Sequence, residues 1–554
     1  MRKIICTLVL TSLIFSSVTA QDTPDSTTID TDSLLNFGME MILDKMLLTR
    51  DDFTFRDDYT PKDPYRLKIV DSLMTHPILM ADFTENFAEV MRGFDTYPEN
   101  VTSTINSLFG DIQFPVPDDP NVTRISSPAK FGGEGGEFIT KFMKATFSAG
   151  IQDEIFYDIP DELIEFIKHE FQELILDDPD YRKWSNEQLD SIQNVEEEWA
   201  KNFASMAVNF QAAQTNGLAL YQLEKFIKDN RAIMTPDYIE KVYTVWNSLP
   251  AHANARIALG NPGNDIYTGE YSIIIDLGGD DVYNLSYDIN SPNTCIIIDC
   301  EGDDYYNAMT DFALACGALS FSLLIDYEGD DIYQAKNFGL GAGYFGVGIL
   351  WDKKGNDKYF GDTFVQGAGT FGYGLLIDEE GSDVYTANLQ SQGFGFVNGI
   401  GGIADYDGND SYIIQPKYKE YFHEGNHYTS LSQGFSIGVR PHMSGGFGFI
   451  CDYGGNDSYL ADFFAQASSY WWSLGMIYDR AGNDLYSTYQ YAQGAGAHMT
   501  LGMLMDCAGD DVYRSHGVCQ GCGHDYSCGW LLDKGGHDVY TSQGLAQGAG
   551  QANG

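Results

Sequence analysis

The sequence predicts a mostly α-helical N-terminal domain followed by a parallel β-solenoid, a β-helix or β-roll of about ten coils of 26–27 residues. The main observation is the pattern Asp-x-x-Gly-[Asn/Asp/Ser/His]-Asp-x-Tyr, which occurs ten times, mostly 26 or 27 residues apart. Residues before each pattern follow a period of two, as in Gly374 to Asp378, which is typical of a strand. The high glycine content of this half disfavours helices, and the repeat is too short for a propeller blade.

The first twenty residues have the features of a secretory signal peptide, which we place at residues 1–20. Arg2 and Lys3 precede a short apolar run, and small residues end at Ala20. That run is too short to span a bilayer, and no comparable apolar run follows, so we expect no membrane span in the mature chain. The mature protein is therefore predicted to be periplasmic, on the outer surface or extracellular.

The remaining chain divides by composition into three parts. Residues 21–34 are polar and acidic and predict a disordered leader. Residues 35–250 predict the helical domain, whose clearest stripe of apolar residues lies within 158–176. Residues 251–554 form the predicted solenoid and end within a further repeat. We expect the helical domain to cap one end of the solenoid, because exposed solenoid ends need protection.

The charge of the chain excludes some classes of partner. The 32 Lys and Arg face 80 Asp and Glu, which gives a formal net charge of −48. No basic stripe is available to meet phosphates, so a general nucleic-acid binder is excluded. At 43% hydrophobic residues the chain is also too apolar to be disordered throughout.

The repeated aspartates are the candidate metal ligands. Stacked coils place equivalent residues one strand spacing apart, so the two Asp positions of the pattern become two columns of carboxylates. The first column comprises Asp276, Asp299, Asp326, Asp352, Asp378, Asp405, Asp452, Asp479, Asp506 and Asp533. The second column comprises Asp281, Asp304, Asp331, Asp357, Asp383, Asp410, Asp457, Asp484, Asp511 and Asp538.

Such columns need compensation for their charge. Carboxylates about 5 Å apart repel by roughly 1 kcal/mol per pair in water, and by more in a dry groove. A divalent cation between coils would neutralise them, and an all-oxygen, flexible loop suits Ca²⁺ better than Mg²⁺. The alternative is that each Asp accepts backbone N–H bonds within its own turn, without a metal. The sequence leaves both interpretations open and favours calcium.

A family resemblance bears on this choice. The segment Ala481-Gly482-Asn483-Asp484-Leu485-Tyr486 resembles the Gly-x-Asp-x-apolar half of the hemolysin-type (RTX) calcium-binding nonapeptide. The resemblance implies a parallel β-roll with Ca²⁺ bound between turns by the second Asp column, Asp281 to Asp538, and by neighbouring carbonyls. It covers about eight residues of each coil, and this chain repeats every 27 residues rather than every nine.

Two further columns are expected to be structural. The Tyr that ends each pattern should stack on its neighbours, and a Gln seven residues later should form a ladder. These glutamines are Gln366, Gln392, Gln466, Gln493, Gln520 and Gln547.

Two irregular places could hold zinc. Cys519, Cys522 and Cys528 with His524 resemble a metal knuckle, but Cys519 and Cys522 stand where the preceding coil has alanines. We therefore favour small core fillers over a zinc or disulfide pair. His423-Glu424-Gly425-Asn426-His427 matches the zinc-protease pattern His-Glu-x-x-His, which requires a helix that Gly-Asn disfavours. An exposed loop is favoured, and zinc is not.

The sequence thus predicts an exported, calcium-stabilised repeat scaffold that acts as a cell-surface or extracellular interaction or adhesion module, with glycans or surface proteins as partners. The alternative is a polysaccharide-active β-helix enzyme, a lyase or hydrolase, with a glycan-binding face near the insertion at 412–451. The sequence identifies no catalytic residue and favours the scaffold over an enzyme.

Overall fold

The computed structural model describes residues 62–94, 161–171, 257–291, 295–420, 425–552 and 554, together with His423 and isolated positions within 40–55 and 101–108. The predicted signal peptide at 1–20 and leader at 21–34 lie outside the described residues, as does most of the predicted helical domain. Those boundaries stay predictions. No helix among the described residues has the length and apolar character needed to cross a membrane.

The C-terminal part is a parallel β-solenoid, as predicted, and two eleven-stranded sheets run along it. In the Asp sheet, most strands end on a first-column Asp; its strands are Ile257–Leu259, Ile273–Ile275, Cys295–Ile298, Phe321–Asp326, Val347–Asp352, Gly372–Asp378, Gly399–Asp405, Phe447–Asp452, Leu474–Asp479, Leu501–Asp506 and Cys528–Asp533. The Tyr sheet carries the tyrosine column; its strands are Ile266–Gly269, Val282–Leu285, Tyr305–Ala308, Ile332–Gln334, Lys358–Phe360, Val384–Ala387, Ser411–Ile414, Ser458–Leu460, Leu485–Ser487, Val512–Arg514 and Val539–Thr541.

Shorter strands close each coil on the remaining sides. One set consists of Asn337–Gly339, Thr363–Val365, Thr429–Ser432, Phe463–Ala465, Gln490–Ala492 and Gly517–Cys519. The other set consists of Cys316–Ala318, Ala342–Tyr344, Gly369–Thr370, Ser436–Ile437, Ser469–Tyr470, Gly496–Ala497, Gly523–His524 and Gly550–Gln551. All the pairings between named strands are parallel.

The register between coils follows the sequence repeat. Asp352 pairs with Asp326 on one side and with Asp378 on the other. Tyr359 pairs in the same way with Tyr333 and Tyr385. Because every coil is aligned on the same pattern, equivalent side chains form continuous columns, which confirms the predicted stacking.

The tyrosine column lies inside the solenoid. Tyr333 and Tyr359 stack with ring centroids 4.9 Å apart and planes 6° apart, and Tyr359 and Tyr385 repeat this geometry at 4.8 Å. The glutamines form the predicted ladder as well. The Nε2 atom of Gln366 donates to the carbonyl of Tyr359 in its own coil, at 2.9 Å, and to that of Thr386 in the next, at 3.1 Å. The Nε2 atoms of Gln392, Gln466, Gln493 and Gln520 make the same two kinds of bond, so these glutamines tie neighbouring coils together.

The outer face of the Asp sheet is covered by helices Lys68–Thr75 and Met80–Met91, which are joined by the 3₁₀ turn Pro77–Leu79. Phe87 packs against Phe447 and Phe449, and the hydroxyl of Tyr453 donates to the carbonyl of Ala88. These helices lie along the flank of the solenoid, because both alternating faces of the Asp sheet are apolar and its outer face also needs cover. Most of the predicted helical domain lies outside the described residues, so its capping of one solenoid end stays a prediction.

A short helical segment covers another side. It consists of the α-helix Asp161–Phe166 and the π-helical turn Ile167–Phe171. The hydroxyl of Tyr344 donates to the carbonyl of Ile167 at 2.6 Å, and the ring of Phe171 contacts that of Phe345. The described part of the helical domain is therefore packed against the solenoid on two sides.

Candidate metal centre

Both aspartates of the pattern lie at the corner where the Asp sheet turns into the Tyr sheet. The first ends a strand of the Asp sheet, four residues of turn follow, and the second immediately precedes a strand of the Tyr sheet. In this turn Asp352 and Asp357 are both 0% exposed, and the other aspartates of the two columns from Asp276 to Asp511 are also buried. Asp533 and Asp538 of the final turn are only partly covered.

The close approach of coils at this corner requires the glycine of the pattern. A Cβ atom on Gly455 would lie 1.6 Å from the carbonyl oxygen of Gly408 in the preceding coil. Gly455 also has a φ of +144°, which disfavours any other residue. The glycine therefore sets the spacing at which the carboxylates of neighbouring coils face each other.

The first-column carboxylates bind the tyrosine column. The hydroxyl of Tyr359 donates to Oδ2 of Asp378 in the next coil at 2.6 Å, and equivalent bonds occur along the column from Tyr267 to Tyr513. The hydroxyl of Tyr540 donates to Asp533 of its own coil. Several of these aspartates also accept an N–H bond in their own turn, as in the 3.0 Å bond from Lys354 N to Oδ1 of Asp352. The turn-capping alternative is thus met in part by the first column.

The second-column carboxylates instead join neighbouring coils. The backbone N–H of Asp331 donates to Oδ1 of Asp357 at 2.6 Å, and the same bond repeats from Asp265, which donates to Asp281, to Asp511, which donates to Asp538. The other oxygen, Oδ2, is buried without a hydrogen-bond partner in seven of these residues. They are Asp281, Asp357, Asp383, Asp410, Asp457, Asp484 and Asp511.

The two columns converge in groups of three carboxylates. One carboxylate oxygen from each of Asp352, Asp357 and Asp378 lies within 4.8 Å of the other two. Oxygens on opposite sides of one calcium ion are about 4.6–5.2 Å apart, because each Ca–O distance is 2.3–2.6 Å. The same arrangement occurs in Asp276–Asp281–Asp299, Asp299–Asp304–Asp326 and Asp326–Asp331–Asp352. Each group can therefore hold one oxygen-ligated cation between two coils.

Burial and mutual repulsion make these carboxylates poor acids when no cation is present. Burial raises the pKa of Asp352 to about 7 and, together with the charge of Asp352, that of Asp357 to about 10. The pKa of Asp326 is raised to about 7 by burial and by Asp352. At neutral pH the columns must consequently hold protons or cations.

A third ladder runs along the exposed side of the same turn. It is built from the residue before each second-column Asp; the backbone N–H of Asn483, for example, donates to Oδ1 of Asn456 at 3.0 Å. The pattern allows Asn, Asp, Ser or His at this position, and all four side chains can accept a hydrogen bond. Sequence reasoning missed this ladder, although that restricted choice was its signal.

Two of the cysteines near the C-terminus occupy small-residue positions of the core, as predicted. Cys519 packs with Ala465 and Ala492, and Cys522 packs with Ala495, so both fill the core as small residues. The eight cysteines in the described part of the chain are thiols that form no disulfide with one another. The preference for core fillers over a disulfide is confirmed.

The insertion between Asp405 and Asp452 contacts a row of stacked aromatic rings. The described residues of 415–428 form no helix, and Glu424 lies outside the described residues. His423 contacts Glu420 at 3.4 Å, whereas His427 contacts Asp462 at 3.0 Å. The ring of His427 stacks on Tyr489 at 3.5 Å, and Tyr489 stacks on His516. The two histidines thus meet different carboxylates.

Comparison of the chain with protein-family models, curated proteins and solved structures returns no match. The class of protein is defined by the fold and the Asp columns: it is a parallel β-solenoid repeat protein with stacked carboxylates. The resemblance to the hemolysin-type repeat rests on the sequence pattern alone.

Proposed function

We propose that this protein is an exported repeat scaffold whose solenoid is stabilised by calcium ions bound between coils. The observation that carries the proposal is the row of buried, unpartnered Oδ2 atoms in the second Asp column, each beside first-column carboxylates. A buried carboxylate oxygen without a partner is costly, and a cation removes that cost together with the repulsion between columns.

The chemistry of the donors favours calcium among common cations. All the convergent side chains of the two columns are carboxylates, which suit hard cations. Magnesium requires near-ideal octahedral geometry and retains water, whereas calcium accepts irregular sets of oxygen ligands. The predicted signal peptide supports an exported compartment, where calcium is abundant. The hemolysin-type resemblance agrees with ions held between successive turns.

The scaffold would bind its partners on its outer surface. His427 of the insertion stacks on Tyr489, and Tyr489 stacks on His516 of the next coil. Partly exposed flat rings suit the apolar faces of sugars, so glycans or glycosylated surface proteins are the partners we propose, in adhesion or surface interaction.

A polysaccharide lyase or hydrolase is the second candidate. The observation in its favour is the pair of carboxylates, Glu420 and Asp462, that contact His423 and His427 beside the stacked rings. Release of oligosaccharides from acidic or neutral polysaccharides would favour this enzyme over the scaffold.

Neighbouring turns offer a matched pair of substitutions that tests the calcium sites. Asp357→Asn removes a buried carboxylate of the Asp352–Asp357–Asp378 group, whereas Asp330→Asn makes the same change on the exposed side of a turn. In calcium, Asp357→Asn should lower the free energy of unfolding by about 1–3 kcal/mol, because a charged ligand is lost. Asp330→Asn should have almost no effect, since other coils carry Asn at that position.

Chemical denaturation with and without calcium distinguishes the two interpretations of the columns. In metal-free protein, Asp357→Asn should be neutral or stabilising, because the buried carboxyl, whose pKa is raised to about 10, is already protonated at neutral pH and the amide likewise places a donor beside the remaining carboxylates. If Asp357→Asn stabilises the protein equally in calcium, the columns do not bind calcium and the proposal is wrong.

A further inference from the structure

A second cluster of ligand-type side chains lies away from the Asp columns, where two of the shortest strands end and turn. Gly496–Ala497 pairs in register with Gly523–His524, and the N–H of His498 donates to the carbonyl of His524 at 3.0 Å. These bonds bring His498 of one coil next to His524 and Asp525 of the following coil. The coil before them has Tyr470 and Trp471 at the corresponding positions, so the cluster belongs to one pair of coils and not to the repeat.

The three side chains converge on a common point. Oδ2 of Asp525 lies 2.8 Å from Nδ1 of His498 and 3.7 Å from Nδ1 of His524. One ligand atom from each of the three residues lies within 4.8 Å of the other two. Two ligands of a tetrahedral zinc ion are about 3.4 Å apart, because Zn–N and Zn–O bonds are about 2.1 Å long. The observed separations lie on both sides of that value.

The surroundings hold the imidazoles in place. The ring of His498 meets that of Tyr470 edge-on at 4.8 Å, and the ring of His524 meets that of Tyr491 at 6.1 Å and 90°. The His524 side chain is 19% exposed, and its Nδ1 atom is buried without a hydrogen-bond partner. A positioned nitrogen without a donor or acceptor opposite it is a ready ligand.

We propose that His498, His524 and Asp525 bind one divalent transition-metal ion of the zinc type. Two imidazoles and one carboxylate are borderline donors that prefer such an ion to the hard Ca²⁺ of the Asp columns. Three protein ligands leave a fourth position open, as in zinc sites that bind water or substrate. In the sequence His524 stands beside Cys519, Cys522 and Cys528, whereas His498 is distant in the chain, so the sequence alone does not predict this site.

Arg440 of the insertion lowers the metal affinity of this site. Its Nη1 atom lies 3.5 Å from Nδ1 of His498, and its guanidinium stands 5.4 Å from the ring of Trp471. A cation so close to a ligand atom opposes a bound metal ion, and this exposed side chain can swing away into solvent. Arg440→Gln should therefore tighten metal binding several-fold, by about 3- to 10-fold.

The site can be tested by titrating the full chain with Zn²⁺ against a chromogenic chelator, in excess calcium to occupy the Asp columns. The unmodified protein should bind one equivalent tightly, and Co²⁺ in its place should give the intense visible bands of a four-coordinate site. His498→Ala and His524→Ala should each weaken binding about tenfold or more. The matched control is His537→Ala, because the highly exposed His537 side chain contacts the single carboxylate of Asp510.

Circular dichroism and thermal melts of each variant establish that the solenoid is intact before affinities are compared. Absence of a tight equivalent of zinc in the unmodified protein overturns the proposal irrespective of how the variants fold. Equal losses in His537→Ala and His498→Ala, or no change in any histidine variant, would place the bound zinc elsewhere and also overturn it.

Discussion

In saturating calcium, the thermal unfolding midpoint of the protein should fall as the pH is lowered from about 8 to about 5, whereas the metal-free protein should become more stable over the same change. At a pH of about 8, calcium should raise the midpoint by about 10 °C or more. A free calcium concentration of a hundred times the Kd adds about 2.7 kcal/mol per site to the stability of the folded protein.

The opposite signs follow from the buried carboxyls. Burial raises the pKa of Asp383 and of Asp457 to about 8 each, helped by the charges of Asp405 and Asp479 respectively, from about 3.9 in an unfolded chain. Without metal, the folded protein retains protons that the unfolded chain releases. The stabilisation that these retained protons contribute is therefore fully present below a pH of about 4. It is lost as the pH rises towards about 8, by about 1.4 kcal/mol for each proton and each pH unit.

Bound calcium reverses this dependence because protons compete with the ion for the same oxygens, so acid weakens binding. The measurement is a series of melts of protein stripped by chelator and exchanged into metal-free buffer at each pH, with and without added calcium. A midpoint that rises on acidification under both conditions would mean that protons, not calcium, neutralise the columns.

Gly455→Ala should be among the most damaging single substitutions in the solenoid. A Cβ atom there would lie 1.6 Å from a backbone oxygen of the preceding coil, at a φ of +144°, so the coils would have to separate. We expect a loss of about 3 kcal/mol or more in the free energy of unfolding, or failure to fold.

The adjacent Gly454 provides the control. A Cβ atom there has only one neighbour, the carbonyl oxygen of Ala481 at 4.0 Å, and the equivalent residues Ala481 and Ala508 already carry one. Gly454→Ala should thus change stability by no more than about 0.5 kcal/mol in urea denaturation. Similar losses in both variants would contradict the close stacking of coils at this turn.

The repeat in the sequence was sufficient to predict the coil length, the strand before each pattern and the register. Asp352 and Tyr359 pair with the same residue types on both sides, so the period alone aligns the coils. The stacking of the tyrosines and the small-residue role of Cys519 followed from the same alignment.

Other features depend on geometry that a period does not contain. The bond from Asp331 N to Asp357 shows that second-column carboxylates cap the neighbouring coil, which requires the offset between coils to be known. The flanking position of the helix Met80–Met91 does have a signal in the sequence of the strands that it covers. Strands such as Val347–Asp352 are apolar at consecutive positions, a pattern typical of strands buried on both faces.

The central claim is that calcium ions occupy the carboxylate groups between coils, and counting bound calcium tests it most directly. The full chain is equilibrated by dialysis against calcium at neutral pH, and calcium and protein are then measured by elemental analysis and amino-acid analysis. The account predicts several calcium ions per folded chain, fewer in Asp357→Asn and the full number in Asp330→Asn. A folded protein that retains no calcium under saturating conditions would contradict it.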